Sequence, residues 1–424
     1  VTPAARAALA GILLFPAAAS ARGGPDRSFG ARGVQISSDP AGGKAAAGYG
    51  IVEDAEKRLI VAGVATDAAG VPHFALWRFL GDGRPDADFG RGGVAVSTET
   101  GWAWSLTLDA RGRAVAAGIM AVYGTPSRAA PVERFLPDGR RDPAFGAGGR
   151  VELRSPLGGS SAEGGAVAAA EGGGLVVGGE ATDAGRAVHA VVWKLAEDGA
   201  LDASFGTAGA VRLPQPEGSR EARVSALRRL PDGGWLASGT IDWKGLALWR
   251  ISAGGKIRAE FGSGGLALSD GVGRGIAEDG AGGAWVAGFS YDTSESTVAV
   301  ERANLSRFAL DGSTRSAAVL DADAFRDREA FALARASDGA LYLAGYADAG
   351  RRPVFACVWG LTSAGAPDRR FGRRGVLVLP GSAPGGEDRL YALALDSDGR
   401  LIAAGLSRDE RGRRSLAVWR VKTR

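Results

Sequence analysis

The dipeptide Phe-Gly recurs at Phe29, Phe89, Phe145, Phe205, Phe261 and Phe371, at intervals of 60, 56, 60, 56 and 110 residues, the last dividing into two of 55. A glycine closing a short apolar run returns seven times, at Gly63, Gly118, Gly179, Gly239, Gly288, Gly345 and Gly405. An aromatic-basic pair keeps the same step: Trp77-Arg78, Trp193-Lys194, Trp249-Arg250 and Trp419-Arg420, with Glu133-Arg134, Ser306-Arg307 and Trp359-Gly360 as degenerate copies. Three independent markers therefore give seven copies of one unit, and a period of this size is the signature of a repeat architecture.

Within a copy every segment reads as strand. In the last one, apolar runs occupy 375–379, 390–395, 401–405 and 415–421, and Asp396-Ser397-Asp398-Gly399 is a tight hairpin turn whose glycine supplies the positive φ. Four short antiparallel strands per unit, seven times over, predict an all-β, seven-bladed β-propeller occupying residues 22–424 as one domain. A parallel β-helix would need a much shorter coil, and isolated four-stranded domains would leave apolar faces uncovered. The chain opens on a lone strand at 33–36 and closes on three, so the N-terminal strand is expected to complete the last blade and close the ring, which removes two free strand edges.

Composition narrows the function classes. Gly (68) and Pro (18) together stay below the low-complexity range, and 45% hydrophobic residues can fill a large core. A formal charge of +4 is too small for a nucleic-acid-binding field, so no nucleic-acid partner is expected. One Cys, two His and one Met exclude a Cys/His zinc site and a disulfide framework; no metal and no cofactor are expected. Residues 1–21 carry Arg6, an uncharged run of 13 residues and the small-residue exit Ala19-Ser20-Ala21, the layout of a cleaved signal peptide. That run is too short to cross a membrane, and an extracytoplasmic, monomeric protein is expected.

The string LDASFGTAGAV at 201–211, PDGGWLASG at 231–239 and LALWRI at 246–251, in that order, resembles the delta-60 repeat family. The resemblance covers the chain from Pro25 onward and implies a propeller; it implies no particular activity. Departures fall in the fifth and sixth copies, where Arg258 replaces the usual Asp and 314–324 lacks Phe-Gly.

The recurring residues read as structural. In FGxxG the glycines flank a turn into a strand, not into a helix, which argues against a phosphate cradle, and the Phe plugs the space between blades. The basic residue lies eight positions before an Asp, as in Arg78 with Asp86, Arg134 with Asp142 and Lys194 with Asp202, so an ion pair bracing the turn is expected there. His73 and His189 occupy equivalent slots of different copies and do not converge. Asp321, Asp323 and Asp327 read as a solvated loop, with a cation site as the alternative. No GxSxG, HExxH or GxxxxGK[ST] motif occurs, and no catalytic residue is assigned.

Alternating strands put the Asp-Gly hairpins and the Phe-Gly linkers on one face and the irregular connections, 119–131, 155–165, 213–222 and 289–304, on the other. Rigid scaffolds carry function on such loops. The expected role is a non-catalytic scaffold binding a peptide, protein or glycan through this face, with Trp102, Trp104, Tyr123, Trp243, Tyr291 and Tyr346 as candidate contacts. The alternatives are an extracytoplasmic enzyme, a lyase or a sugar- or quinone-linked oxidoreductase, with its site at the channel mouth, and a purely structural surface protein.

Overall fold

The hairpins are set by single aspartates. The Asp54 Oδ1 atom accepts from the backbone N–H groups of Glu56 and Arg58 at 3.1 and 2.8 Å, and Asp396 does the same for Asp398 and Arg400 at 3.0 and 2.8 Å. Side-chain capping of this kind turns the chain back on itself and fixes which strands pair. A computed structural model describes residues 22–37, 40–120, 128–292, 300–320, 327–348, 353–381 and 386–424; the signal-peptide reading of 1–21 lies outside them. Apart from one 3-10 turn at Glu171–Gly173, the regular elements among the described residues are strands.

The strands form four-stranded antiparallel units. Three stand alone: Gly158–Ala169 to Ala210–Arg212, Ala222–Arg229 to Leu266–Asp270, and Val272–Glu278 to Thr314–Val319. The other strands join in one mixed, 16-stranded sheet. Two causes produce it. Single parallel bridges, Val354 to Glu387 and Arg414 to Ala45, link neighbouring units, and Val94–Leu108 runs unbroken from the outer edge of one unit to the inner edge of the next. At the termini, Val34–Ser37 pairs antiparallel with Arg414–Lys422, Val34 opposite Trp419. The connections 155–165 and 289–304 are shorter than their composition implied, because strands begin at Gly158 and Val300 and another runs to Asp292.

The core lies between units. Phe29, Phe89, Phe145, Phe205, Phe261 and Phe371 are all buried. Phe89 packs among Ile60, Leu76, Ala103 and Phe135, residues of two adjacent units, so it fills the space between sheets. The glycine after each Phe holds φ between +51° and +57° and donates its N–H across the junction: Gly30 to Asp82 O, Gly90 to Asp138 O, Gly146 to Asp198 O, Gly206 to Gly254 O, Gly262 to Asp311 O and Gly372 to Arg22 O, at 2.7–3.0 Å.

The expected ion pairs form at Arg78–Asp86 (2.7 Å), Arg134–Asp142 (2.8 Å) and Lys194–Asp202 (3.0 Å). The first two are buried, and their guanidiniums lie over Phe89 and Phe145. Arg420 and Asp26 make the same pair at 2.8 Å from opposite ends of the sequence. Arg250, facing Arg258 in sequence, turns to Asp232 at 3.2 Å. Gly360 cannot supply a cation, and the Phe371 ring packs where a Cβ would stand.

Candidate functional site

At one equivalent place, each innermost strand skips a residue in its pairing with the next strand. The register jumps over Tyr49, Trp104, Gly165, Ser225, Arg274, Phe331 and Tyr391, a β-bulge repeated at one place in seven strands. A bulge re-aims the extra side chain and bends its strand. All seven skipped residues are half-buried, and all seven line a single cavity of about 410 Å³, a volume in the range of small-molecule sites.

The bulges explain the glycine marker. A Cβ on Gly63 would stand 1.9 Å from the Ala47 carbonyl oxygen, and one on Gly405 1.8 Å from that of Arg389, because the kinked inner strand presses its backbone onto the second strand. The seven glycines of the sequence pattern therefore mark seven places where the inner strand turns a residue toward a common space.

What the seven side chains are is not symmetric. Trp104 and Tyr49 meet edge to face with centroids 4.6 Å apart; Tyr49 and Tyr391 lie at 5.0 Å, and Tyr391 and Phe331 at 5.2 Å. These four rings form a continuous arc in the order of their strands. Opposite them Gly164, Gly165, Gly179 and Ser225 leave the wall bare, and Trp243, in the turn between Trp235–Ile241 and Gly245–Ile251, stands on the side of the irregular connections.

The charged groups sit on the bare side. Arg223 pairs with Glu180 at 2.8 Å and Glu221 at 3.3 Å, while Glu163 pairs with Arg128 at 3.0 Å. Burial pushes the Glu180 carboxyl up to about 8 against the pull of Arg223, with the Glu163 and Glu221 charges adding to the rise. Glu301 is likewise pushed up to about 8, by burial first and then by its shared hydrogen bond with Glu329. Both carboxyls hold protons in the folded state that the unfolded chain releases near its ordinary range. Stability from them is full below about pH 4.5 and is lost as pH rises through 8. Thermal denaturation is expected to show a falling melting temperature between pH 5 and 8.5, and Glu180→Gln with Glu301→Gln should flatten that slope. An unchanged slope in the double variant would assign it elsewhere.

Of the candidate contacts, Trp104 and Trp243 line the cavity, and Trp102 stacks on Trp104 at 6.4 Å. Tyr346 is buried behind Phe331, stacked at 6.0 Å, with its hydroxyl on Glu301 and Glu329. Tyr291 is exposed and faces a separate hollow with Lys244, Asp270 and Asn304. Tyr123, Asp321 and Asp323 lie outside the described residues. The two histidines stay apart, His73 beside Asp67 at 3.5 Å and His189 beside Asp183 at 2.8 Å, and no group of metal-ligating side chains occurs among the described residues. Tyr49, Tyr391, Phe331, Arg274 and Glu180 were not singled out by sequence. A signal existed: each skipped residue lies five positions before the residue that opens its hairpin, as Tyr49 before Asp54 and Tyr391 before Asp396.

Residues 57–89 and 173–205 match the profile of a β-propeller domain of unknown function, DUF5122. The chain folds as a β-propeller. No curated protein matches it in sequence. Among solved structures, a polysaccharide lyase superposes with a TM-score of 0.51 at 10% identity, covering 89% of this chain and 90% of that one. A catalytically inactive virginiamycin B lyase from Staphylococcus aureus, solved with quinupristin, gives 0.48 at 12% identity over 92% and 98%. A glucose dehydrogenase gives 0.42 at 14% identity over 91% and 99%. At such identities the likeness is one of fold alone. Among the described residues of the propeller, no helix is long and apolar enough to cross a membrane.

Proposed function

We propose that this chain is an exported, non-catalytic propeller that binds a glycan in the axial cavity, entered from the face of the irregular connections. The arc Trp104–Tyr49–Tyr391–Phe331 carries the reading: four adjoining aromatic rings facing a wall of glycine and serine offer stacking surface for the C–H faces of sugar rings and room to seat them. The ring is read as seven blades of the delta-60 type closed by Val34–Ser37. The seven bulges on one cavity and the Arg420–Asp26 pair support that reading. The protein is read as extracytoplasmic and monomeric, without a nucleic-acid partner, and protein recovered outside the cell is expected to begin near Arg22.

Screening such protein on an array of neutral and acidic oligosaccharides tests the function. Trp104→Ala is expected to lower affinity for the bound member at least 10-fold with the melting temperature nearly unchanged, since binding hot spots favour Trp and Tyr. An array with no bound member, or binding indifferent to Trp104, would defeat the proposal.

One observation favours the enzymatic alternative. Burial pushes the Glu180 carboxyl up to about 8, the range of a general acid at neutral pH, and Glu163 stands opposite it on the paired strand. Turnover of the bound glycan, lost in Glu180→Gln, would establish that alternative; an unaltered glycan after prolonged incubation would exclude it.

A further inference from the structure

Arg274 is the one skipped residue with a charge, and its surroundings are unlike those of the other cavity arginine. Arg223 meets the carboxyl groups of Glu180 and Glu221; Arg274 has no hydrogen bond or ion pair among the described residues, and its buried Nε lacks a partner. Ring faces surround the guanidinium instead: Trp243 at 5.7 Å, Phe331 at 5.7 Å and Phe289 at 5.8 Å. Contacts with rings hold a cation in place and leave its N–H groups unused. The opposing charge that acts on it is Glu329, whose carboxylate already accepts a hydrogen bond from the Tyr346 hydroxyl. Burial also lowers the pKa of Arg274, as expected for a cation without a close partner.

Resting on the reading that the cavity takes a glycan, we infer that this glycan is acidic, a uronic or sialic acid whose carboxylate is received by Arg274. Phe331 ends the aromatic arc and Arg274 follows it around the axis, so a sugar ring stacked on the arc brings an exocyclic substituent toward the guanidinium. The planar fork of an arginine matches a carboxylate with two parallel hydrogen bonds. A phosphate monoester fits less well: it carries close to two negative charges, and one arginine offsets one.

The test uses the whole protein and a defined panel: short oligomers of glucuronic, galacturonic and mannuronic acid, and sialyllactose, each with its methyl ester, followed by tryptophan fluorescence and calorimetry. Esterification removes the charge and keeps the ring. At least one acid should bind about 10- to 100-fold more tightly than its ester, the range for a charged hydrogen-bonded contact. In Arg274→Gln that preference should fall to within about threefold, and Arg274→Lys should keep part of it, with melting temperatures near the parent's. Equal binding of acid and ester, or a preference that survives Arg274→Gln, overturns the assignment of Arg274 and leaves the glycan reading standing if Trp104→Ala still lowers affinity at least 10-fold. Absence of binding to every acid overturns the inference, and absence of binding to neutral sugars as well overturns both.

Discussion

Replacing Phe89 by Ala should lower the stability of the whole protein by about 3–5 kcal/mol, the usual cost of emptying a fully packed aromatic site. The ring is buried at the junction of two sheets, under the Arg78 guanidinium at 4.8 Å from its centroid. Removing it deletes apolar contact on both sheets and strips the ion pair of its cover, so neighbouring side chains have no single direction in which to collapse. Phe205, buried at an equivalent junction under Lys194, should behave alike. Urea titration with a fixed dependence on denaturant is the measurement. Neither ring lines the cavity, and binding by the folded fraction should be unaltered. A loss below about 1 kcal/mol would mean that the sheets do not depend on these rings for their docking.

A comparable loss is expected from Asp26→Asn. Asp26 is buried, and its carboxylate meets Arg420 at 2.8 Å, with Arg400 at 3.7 Å and Lys422 at 3.8 Å. Neutralising it leaves a buried guanidinium without its counter-charge, which costs on the order of 3–5 kcal/mol. The half-exposed Lys194–Asp202 pair supplies the contrast: Asp202→Asn should cost about 0–1 kcal/mol, because water already screens it. Hydrogen exchange in Asp26→Asn should rise first in Val34–Ser37 and Arg414–Lys422, whose mutual pairing the ion pair braces. Uniform exchange across the sheets, or equal costs for the two aspartate variants, would show that the junction of the termini has no special dependence on Asp26.

Much of the fold is legible because it is repetitive. Phe-Gly, the run-closing glycine and the eight-residue step from Arg to Asp each recur because one physical job recurs: a plug between sheets, a backbone crowded by a bulge, a brace on a turn. The Arg420–Asp26 pair was hidden because its partners are almost 400 positions apart in sequence. The cavity was hidden for a deeper reason. A search for markers finds what stays the same, whereas the skipped column reads Tyr, Trp, Gly, Ser, Arg, Phe, Tyr. Small neighbours betray it only locally: Gly50 and Gly275 stand where a Cβ would collide with Leu106 and Leu333 of the adjoining sheets at 2.7 and 2.6 Å. Aromatics conspicuous in irregular stretches drew notice instead, and of these Trp104 and Trp243 reach the cavity while Tyr346 lies buried behind it.

The bulge has a consequence for how such a protein can change over time. The skipped residue stands out of register with the partner strand and faces the cavity, so strand pairing does not dictate its identity. Seven such positions, each on its own inner strand and all lining one cavity, amount to a seven-letter word that drift or design can respell one letter at a time. Duplication that first produced seven identical letters would have given a symmetric pore; divergence at these positions alone suffices to give it a handed, chemically particular interior while every hinge of the architecture stays untouched.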